Sequence, residues 1–355
     1  MNTISSCLIV KNEIKNLPLL IDDLKQFCEE IIIVDTGSTD GTFEWLNEHS
    51  NDVLKVYTFE WINDFAAARN FSFSKATCDW VFWCDADDRI PETLINIIND
   101  TKKTLHETPY NAFIMRYQFG VGCNIPRNRL LKRANNPVWI GRCHEYVTFD
   151  NLYTTTLGDE FTSSIMHQRE HPHSERNLEI FVDQILDLNA GLSYRDLYYY
   201  TNELRDNNMH EKSAELAVKF LMNFWNIDAY NAIIENIWEA RWSKPEYRFE
   251  AIYYLDALLE RDKYLRGDIY YIRAIINEYL GNVEEVYTNC RHALNANIIG
   301  MNFSENIEFS KVLPAITLYR YFQDAIEKED MLKIIYQYKD VSEIAKNFLR
   351  SLNIN

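Results

Sequence analysis

Over its first half the chain alternates short apolar runs with helix-period segments, and that alternation limits its fold more than any other feature. "SSCLIV" (5–10), "EIIIVDT" (30–36), "VLKVYTF" (53–59), "DWVFWCDAD" (79–87) and "NAFIMRYQF" (111–119) read as strands. They are short, rich in β-branched and aromatic residues, and bounded by polar or Gly-containing stretches. Residues 16–29, 40–50 and 65–76 lie between them with the apolar spacing of amphipathic helices. Such alternation predicts an α/β domain with a largely parallel sheet covered by helices. Ligands in these folds bind at the carboxyl ends of strands. "VDTGSTDG" and "CDADD" fall there.

From about residue 176 the strand signal stops. A run of amphipathic helices follows, rich in Tyr, Leu and Ala. "NNMHEKSAELAVKFL" (207–221) and "LGNVEEVYTNCRHAL" (280–294) look alike, and aligning Ser213 with Val286 sets them 73 residues apart. That is close to two units of a ~34-residue helical hairpin repeat. "KPEYRFEAIYYLDALL" (244–259) reads as a further unit between them, with 230–242 as the first helix of its hairpin. The expected organisation is an α/β domain over 1–175 and an all-α, tetratricopeptide-like domain over 176–355. The plain alternative for the second half is an irregular helical bundle.

The 355 residues carry a net charge of −17, which speaks against nucleic-acid binding and against docking on anionic lipid. No window approaches the ~20 apolar residues of a membrane span, and the start shows no signal peptide. The seven cysteines are scattered without a CxxC pair, as expected of buried free thiols in a reducing compartment. A cytoplasmic protein is the expectation.

Three stretches could carry chemistry. In "IIIVDTGSTDGT" a buried strand ends in Asp35, and Ser38 or Asp40 caps the next helix. A plain strand-to-helix turn accounts for all of this except Asp35, whose carboxylate would face the ligand crevice and could accept from a base or ribose. In "WINDFAAARNFSFSKA" Arg69 follows three alanines, where it could offset a pyrophosphate or simply pair on the surface. In "VFWCDADDRI" an apolar strand runs into three acids. Strand side chains alternate with period two, so Asp85 and Asp87 would share one side while Ala86 faces the sheet. Two carboxylates so placed suit Mn²⁺ or Mg²⁺, completed by substrate phosphates. Asp88 reads as a bystander that begins the next loop.

Taken together and in order, "SSCLIVKNE", "EIIIVDTGSTDGT", "WINDFAAARNFSFSKATCDWVFWCDADD" and "RLLKRANNPVWIGRCHE" resemble family 2 glycosyltransferases. More narrowly, they resemble the bacterial subgroup that carries tetratricopeptide-like helices after the catalytic domain and includes the enzymes that glycosylate glycocin bacteriocins. The resemblance covers residues 4–178; Thr36 departs from the second acid of the usual "VDDGS" motif, and the stretch after the D-x-D is short. It implies a GT-A fold that takes a nucleotide sugar, most often a uridine diphosphate form. Val10, Lys11, Asn12 and Glu13 would then lie under the nucleoside, Asp35 would bond the uracil, and Arg69 would sit near the nucleotide. Asp85 and Ala86 would border the donor, with Asp85 touching ribose or metal and Asp87 binding the metal. Glu145 in "GRCHEY" would be the base that takes the acceptor's proton, and His144 would orient it or contact the donor. His167 would complete the metal site, with His171 and His173 left as solvated linker residues.

The reading is a metal-dependent inverting transferase moving a sugar such as Glc or GlcNAc. Helical repeats offer concave surfaces for extended peptides, so the expected acceptor is a polypeptide Ser, Thr or Cys. A cell-envelope glycan is the rival acceptor, and the helices could instead serve a homo-oligomer. Sugar nucleotidyltransferases need a Gly-rich basic loop after the first strand, which "LIVKNEIKNL" lacks. The non-enzyme rival is a helical scaffold with a decayed first domain, which should have lost some of Asp35, Arg69, Asp85, Asp87 and Glu145.

Overall fold

A computed structural model gives the fold and describes residues 2–119, 123–151, 153–158, 162–167, 175–187, 192–223, 247–261, 267–296 and 307–354. The chain divides into two compact units, Met1–Gly191 and Leu192–Asn355.

In the first unit β1 (Ile4–Val10), β2 (Glu30–Asp35), β3 (Leu54–Thr58) and β4 (Trp80–Trp83) pair in parallel in the order β3-β2-β1-β4. Every residue of β2 and β4 is buried, as a sheet covered on both faces requires. The covering helices are α1 (Leu17–Leu24), α2 (Thr42–His49) and α3 (Phe65–Ser74). Helix α1 starts with Pro18 in its first turn and buries Leu17, Leu20, Ile21 and Leu24, one stripe at helical spacing. Helix α3 is started by Asp64, whose carboxylate accepts from Ala67 N at 2.8 Å, and its small residues Ala66 and Ala68 are buried. The strand order reverses direction between β1 and β4, so a crevice opens at their carboxyl ends.

Beyond β4 the sheet becomes mixed. Strand β5 (Asp88–Arg89) and helix α4 (Glu92–Lys102) follow, then β6 (Ala112–Phe119) and β7 (Cys123–Lys132), and β7 runs antiparallel to both β4 and β6. A small hairpin, β8 (Val138–Ile140) and β9 (Tyr146–Thr148), stands apart from the main sheet. The far edge of β6 is shared by β10 (Thr154–Thr156) and β11 (Ile165–His167), and β11 also pairs antiparallel with β5. The first four strands fulfil the expectation of parallel pairing, and β10 and β11 also run parallel to β6. The remainder is mixed because hairpin-linked β6 and β7 need no crossover. The unit ends with α5 (Arg176–Leu186), which the sequence assigns to the helical half. Here it is tied to the first unit by Asn63 Nδ2 to Asp183 Oδ2 and by Arg142 to Asp187.

The second unit is helical: α6 (Tyr194–Asp206), α7 (His210–Asn223), α8 (Tyr247–Arg261), α9 (Gly267–Leu280), α10 (Val283–Asn295), α11 (Leu313–Tyr321), α12 (Ala325–Gln337) and α13 (Glu343–Ser351). Helices α6 and α9 begin 73 residues apart, and so do α7 and α10. The aligned residues Ser213 and Val286 are both fully buried. The repeat seen in the sequence is therefore a repeat in structure. The 230–242 helix and residues 244–246 lie outside the described residues. Among those described, no helix is long and apolar enough to cross a membrane. Cys7, Cys28, Cys78, Cys84, Cys143 and Cys290 are buried.

Candidate active site

The crevice between the ends of β1 and β4 is a cleft whose lining includes Val10, Lys11, Glu13, Thr36, Arg69, Asp85, Ala86 and Asp87. Trp61, Phe65 and Arg176 also line it, and the sequence reading assigned none of them. Arg176 lies over the Phe65 ring at 4.7 Å and Trp61 meets Phe65 edge-on. Only the fold brings α5 to the 61–65 segment, so sequence spacing carried no signal for this wall.

Asp35 closes β2. Its Oδ1 accepts from Gly37 N at 2.9 Å and Ser38 N at 3.0 Å, which shapes the turn. Its buried Oδ2 has no hydrogen-bond partner. An unsatisfied buried carboxylate oxygen is costly, so a ligand donor or a water belongs there. Asn12 is different. With φ at +62° it accepts from Thr39 N at 2.7 Å, and it is not part of the cleft lining.

Arg69 joins two predicted residues. Its Nη2 donates to Asp85 Oδ1 at 2.7 Å and its Nε to Glu145 Oε1 at 2.6 Å. The guanidinium also lies over Trp83 and Trp139, 5.2 and 4.9 Å from the ring centroids. Burial disfavours the charge of Asp85, but Arg69, with Arg129 behind it, holds its pKa down at about 2. Burial likewise works against Arg69, and the two carboxylates outweigh it and raise its pKa. His144 precedes Glu145 with φ at +50°, and its ring stacks on Phe181 rather than lining the cleft.

The D-x-D lies on a turn, not on a strand, because β4 stops at Trp83. Asp88 N donates to Asp85 O at 3.1 Å and Asp85 N to Asp88 Oδ2 at 2.9 Å, closing the turn from both ends. The period-two argument therefore does not apply. Asp85 turns to Arg69, while Asp87 turns to His167, whose Nδ1 is 3.3 Å from Asp87 Oδ1. The register of β5 and β11 sets His167 opposite Asp88, so strand pairing brings this histidine beside the D-x-D turn. Burial opposes a charge on His167, yet its hydrogen bonds to Asp87 and Asp88 outweigh that and hold it up at about 10.

Asp88 is no bystander. It is fully buried, pairs with Arg129 Nη1 at 3.1 Å and accepts from Tyr117 Oη at 2.8 Å. Arg129 stands among basic and polar residues in "PRNRLLKR", so the sequence carried no signal that it would be buried against Asp88. His171 and His173 lie outside the described residues. Among those described, Asp87, Asp88 and His167 form the one group able to converge on an ion. A carboxylate-and-imidazole donor set of this kind could hold a divalent metal ion.

Residues 5–155 match the model of Glycosyl transferase family 2. The first unit carries a family 2 glycosyltransferase domain. Its mixed sheet, parallel through β3-β2-β1-β4 and with both parallel and antiparallel pairs beyond, is GT-A-like, and an all-α unit follows it. Among curated relatives, a TPR repeat-containing protein of Synechococcus elongatus is 31% identical over 38% of this chain and 32% of its own length. The SPbeta prophage-derived glycosyltransferase SunS of Bacillus subtilis is 37% identical over 24% of this chain and 20% of its own. Lipopolysaccharide core biosynthesis glycosyltransferase LpsC of Rhizobium meliloti is 30% identical over 47% of this chain and 63% of its own. The chain thus spans less than two thirds of the length of each of these relatives.

Proposed function

We propose that this protein is an inverting glycosyltransferase that moves a sugar from a uridine diphosphate donor to a polypeptide. The observation that carries the reading is the cleft itself. In a family 2 domain, it gathers Arg69, Asp85 and Asp87 at the strand-end switch point, with Glu145 and His167 bonded to them. Asp35 Oδ2, the buried acceptor without a partner, takes the uracil N–H. Val10, Lys11 and Glu13 line the nucleoside end, and Asn12 holds their loop against Thr39.

Asp87 and His167 would hold a Mn²⁺ or Mg²⁺ ion. When bound, that ion acts as a Lewis acid on the diphosphate and offsets the charge it gains on leaving. Glu145 Oε1 stays on Arg69 while Oε2 removes the proton from the acceptor hydroxyl or thiol. The acceptor oxygen or sulfur then forms its bond to the anomeric carbon as the bond to the diphosphate breaks. Arg69 fixes Glu145 in place and joins it to Asp85, so base and donor site are one rigid unit.

The polypeptide acceptor rests on the repeat of α6–α7 and α9–α10 and on the similarity to SunS. A net charge of −17 favours a basic peptide. An envelope glycan is the second reading, favoured by the similarity to LpsC. The test is calorimetry of a nucleotide-sugar panel with Mn²⁺ and with chelator, on the wild type and on Asp87→Ala. Metal-dependent binding of one uridine diphosphate sugar, lost in the variant, is the expected result. A folded protein that binds no donor would sink the proposal.

A further inference from the structure

Four strands meet beneath the D-x-D turn: β5 with Asp88, β6 with Tyr117, β7 with Arg129 and β11 with His167. Both oxygens of Asp88 are engaged. Oδ2 accepts from Asp85 N and forms an ion pair with Arg129 Nη1 at 3.1 Å, and Oδ1 accepts from Tyr117 Oη. With no exposed surface and both oxygens already engaged, Asp88 is poorly placed to be a ligand. Asp87 and His167, each with a side chain 17% exposed, are the two members of the acidic group that reach solvent.

Arg129 is fully buried, its guanidinium 3.8 Å from the centroid of Trp83 and 4.3 Å from that of Tyr117. Nη1 also donates to Trp83 O at 3.2 Å, and neither Nε nor Nη2 has a hydrogen-bond partner. A guanidinium left half-satisfied in an aromatic slot is costly to keep for stability alone, since an apolar pair of similar volume would do as well or better. What this pair does hold is direction. Tyr117 Oη lies 2.8 Å from both Asp88 Oδ1 and His167 Nδ1, and 3.3 Å from Asp85 Oδ2.

The geometry points to Asp88, Arg129 and Tyr117 as positioning residues that fix the D-x-D turn and the His167 ring, so that Asp87 and His167 meet one cation. The inference rests on the metal reading above and goes beyond it by removing Asp88 from the ligands. Arg129 anchors Asp88, Asp88 closes the turn that presents Asp87, and Tyr117 links that turn to His167. Such outer partners typically set metal affinity by about 10- to 100-fold.

The test is Mn²⁺ binding, measured by calorimetry with MnCl₂ and by the paramagnetic resonance spectrum of the bound ion, alongside the melting temperature. Three forms are compared with the wild type: Tyr117→Phe, the joint replacement Asp88→Leu with Arg129→Met, and Asp87→Ala. Tyr117→Phe removes the hydroxyl that donates to buried Asp88, so melting falls by a few degrees with the fold intact while the Mn²⁺ dissociation constant rises about tenfold or more. The joint replacement keeps an apolar, well-packed slot and weakens Mn²⁺ binding with an altered resonance spectrum. Wild-type Mn²⁺ affinity in both of these forms, with binding abolished in Asp87→Ala, would overturn the positioning role and leave the metal reading standing. Abolition by the joint replacement as complete as in Asp87→Ala, with Tyr117→Phe unaffected, would make Asp88 a ligand and also overturn it. A wild type that takes no Mn²⁺ would overturn the metal reading and this inference with it.

Discussion

Glu145 Oε1 lies 2.6 Å from Arg69 Nε although 76 residues separate them in the chain. Arg69 comes from α3 and Glu145 from the loop before β9, so the pairing exists only once the β8–β9 hairpin has docked near α3. A carboxylate held this way has one oxygen committed and one left for chemistry. Glu145→Gln keeps size and hydrogen bonding but cannot take a proton. Its kcat should fall about 10²- to 10⁴-fold with donor affinity nearly unchanged. Release of uridine diphosphate measures the first, and calorimetry the second. A variant that transfers sugar at the wild-type rate would remove Glu145 from the mechanism.

Arg69 serves two carboxylates and two indole rings at once. Arg69→Met strips Asp85 and Glu145 of their shared cation. Leaving partly buried carboxylates uncompensated should cost about 3 kcal/mol. Arg69→Lys should recover only part of that, because an ammonium cannot bond in two directions while lying flat between Trp83 and Trp139. Thermal melting of the three proteins gives the order wild type, Lys, Met. If Lys melts with the wild type, the planar fork is irrelevant.

Much of this site was legible in the sequence, and the reasons differ by residue. The ends of β2 and β4 are visible as apolar runs that stop at Asp35 and just before Asp85, so the crevice follows from strand–helix alternation alone. Arg69, Glu145 and His167 gain roles only through the family resemblance. What stayed hidden depends on pairings with no local signature. Strands β10 and β11 are three residues each, and their register against β6 and β5 is a tertiary fact. Asp88 looked like the start of a loop because the sequence does not show Arg129, on β7, arriving opposite it. Period-two reasoning misplaced Asp85 and Asp87 because the strand ends two residues before the first of them.

His167 gives the metal-free protein a pH dependence with a definite sign. Its pKa, raised from 6.5 to about 10 by Asp87 and Asp88 against the opposing effect of burial, means the folded state holds a proton that the unfolded state releases earlier. The stabilisation is complete below pH 6.5 and is lost as the pH rises through about 10. In chelator, the melting temperature of wild type relative to His167→Gln should therefore be highest near pH 6 and shrink steadily on the way to pH 10. A difference that does not vary with pH would show that His167 is neutral when folded.

In the helical unit, packing at one glycine sets a separate limit. Gly267 opens α9, and a methyl group added there would lie 2.7 Å from Ser310 Cβ and 2.8 Å from Ala293 O. The carbonyl belongs to α10, so the clash is with backbone and cannot be relieved by a rotamer change. Gly267→Ala should cost about 1–3 kcal/mol, the usual range for overpacking. Gly281, between α9 and α10, is the contrast: its φ is +77° and an added Cβ would meet nothing within 4 Å. Asparagine tolerates that left-handed conformation, so Gly281→Asn should stay near wild type. Far-UV circular dichroism melts of both variants test the pair, and equal melting would mean that α9 and α10 pack more loosely than these distances require.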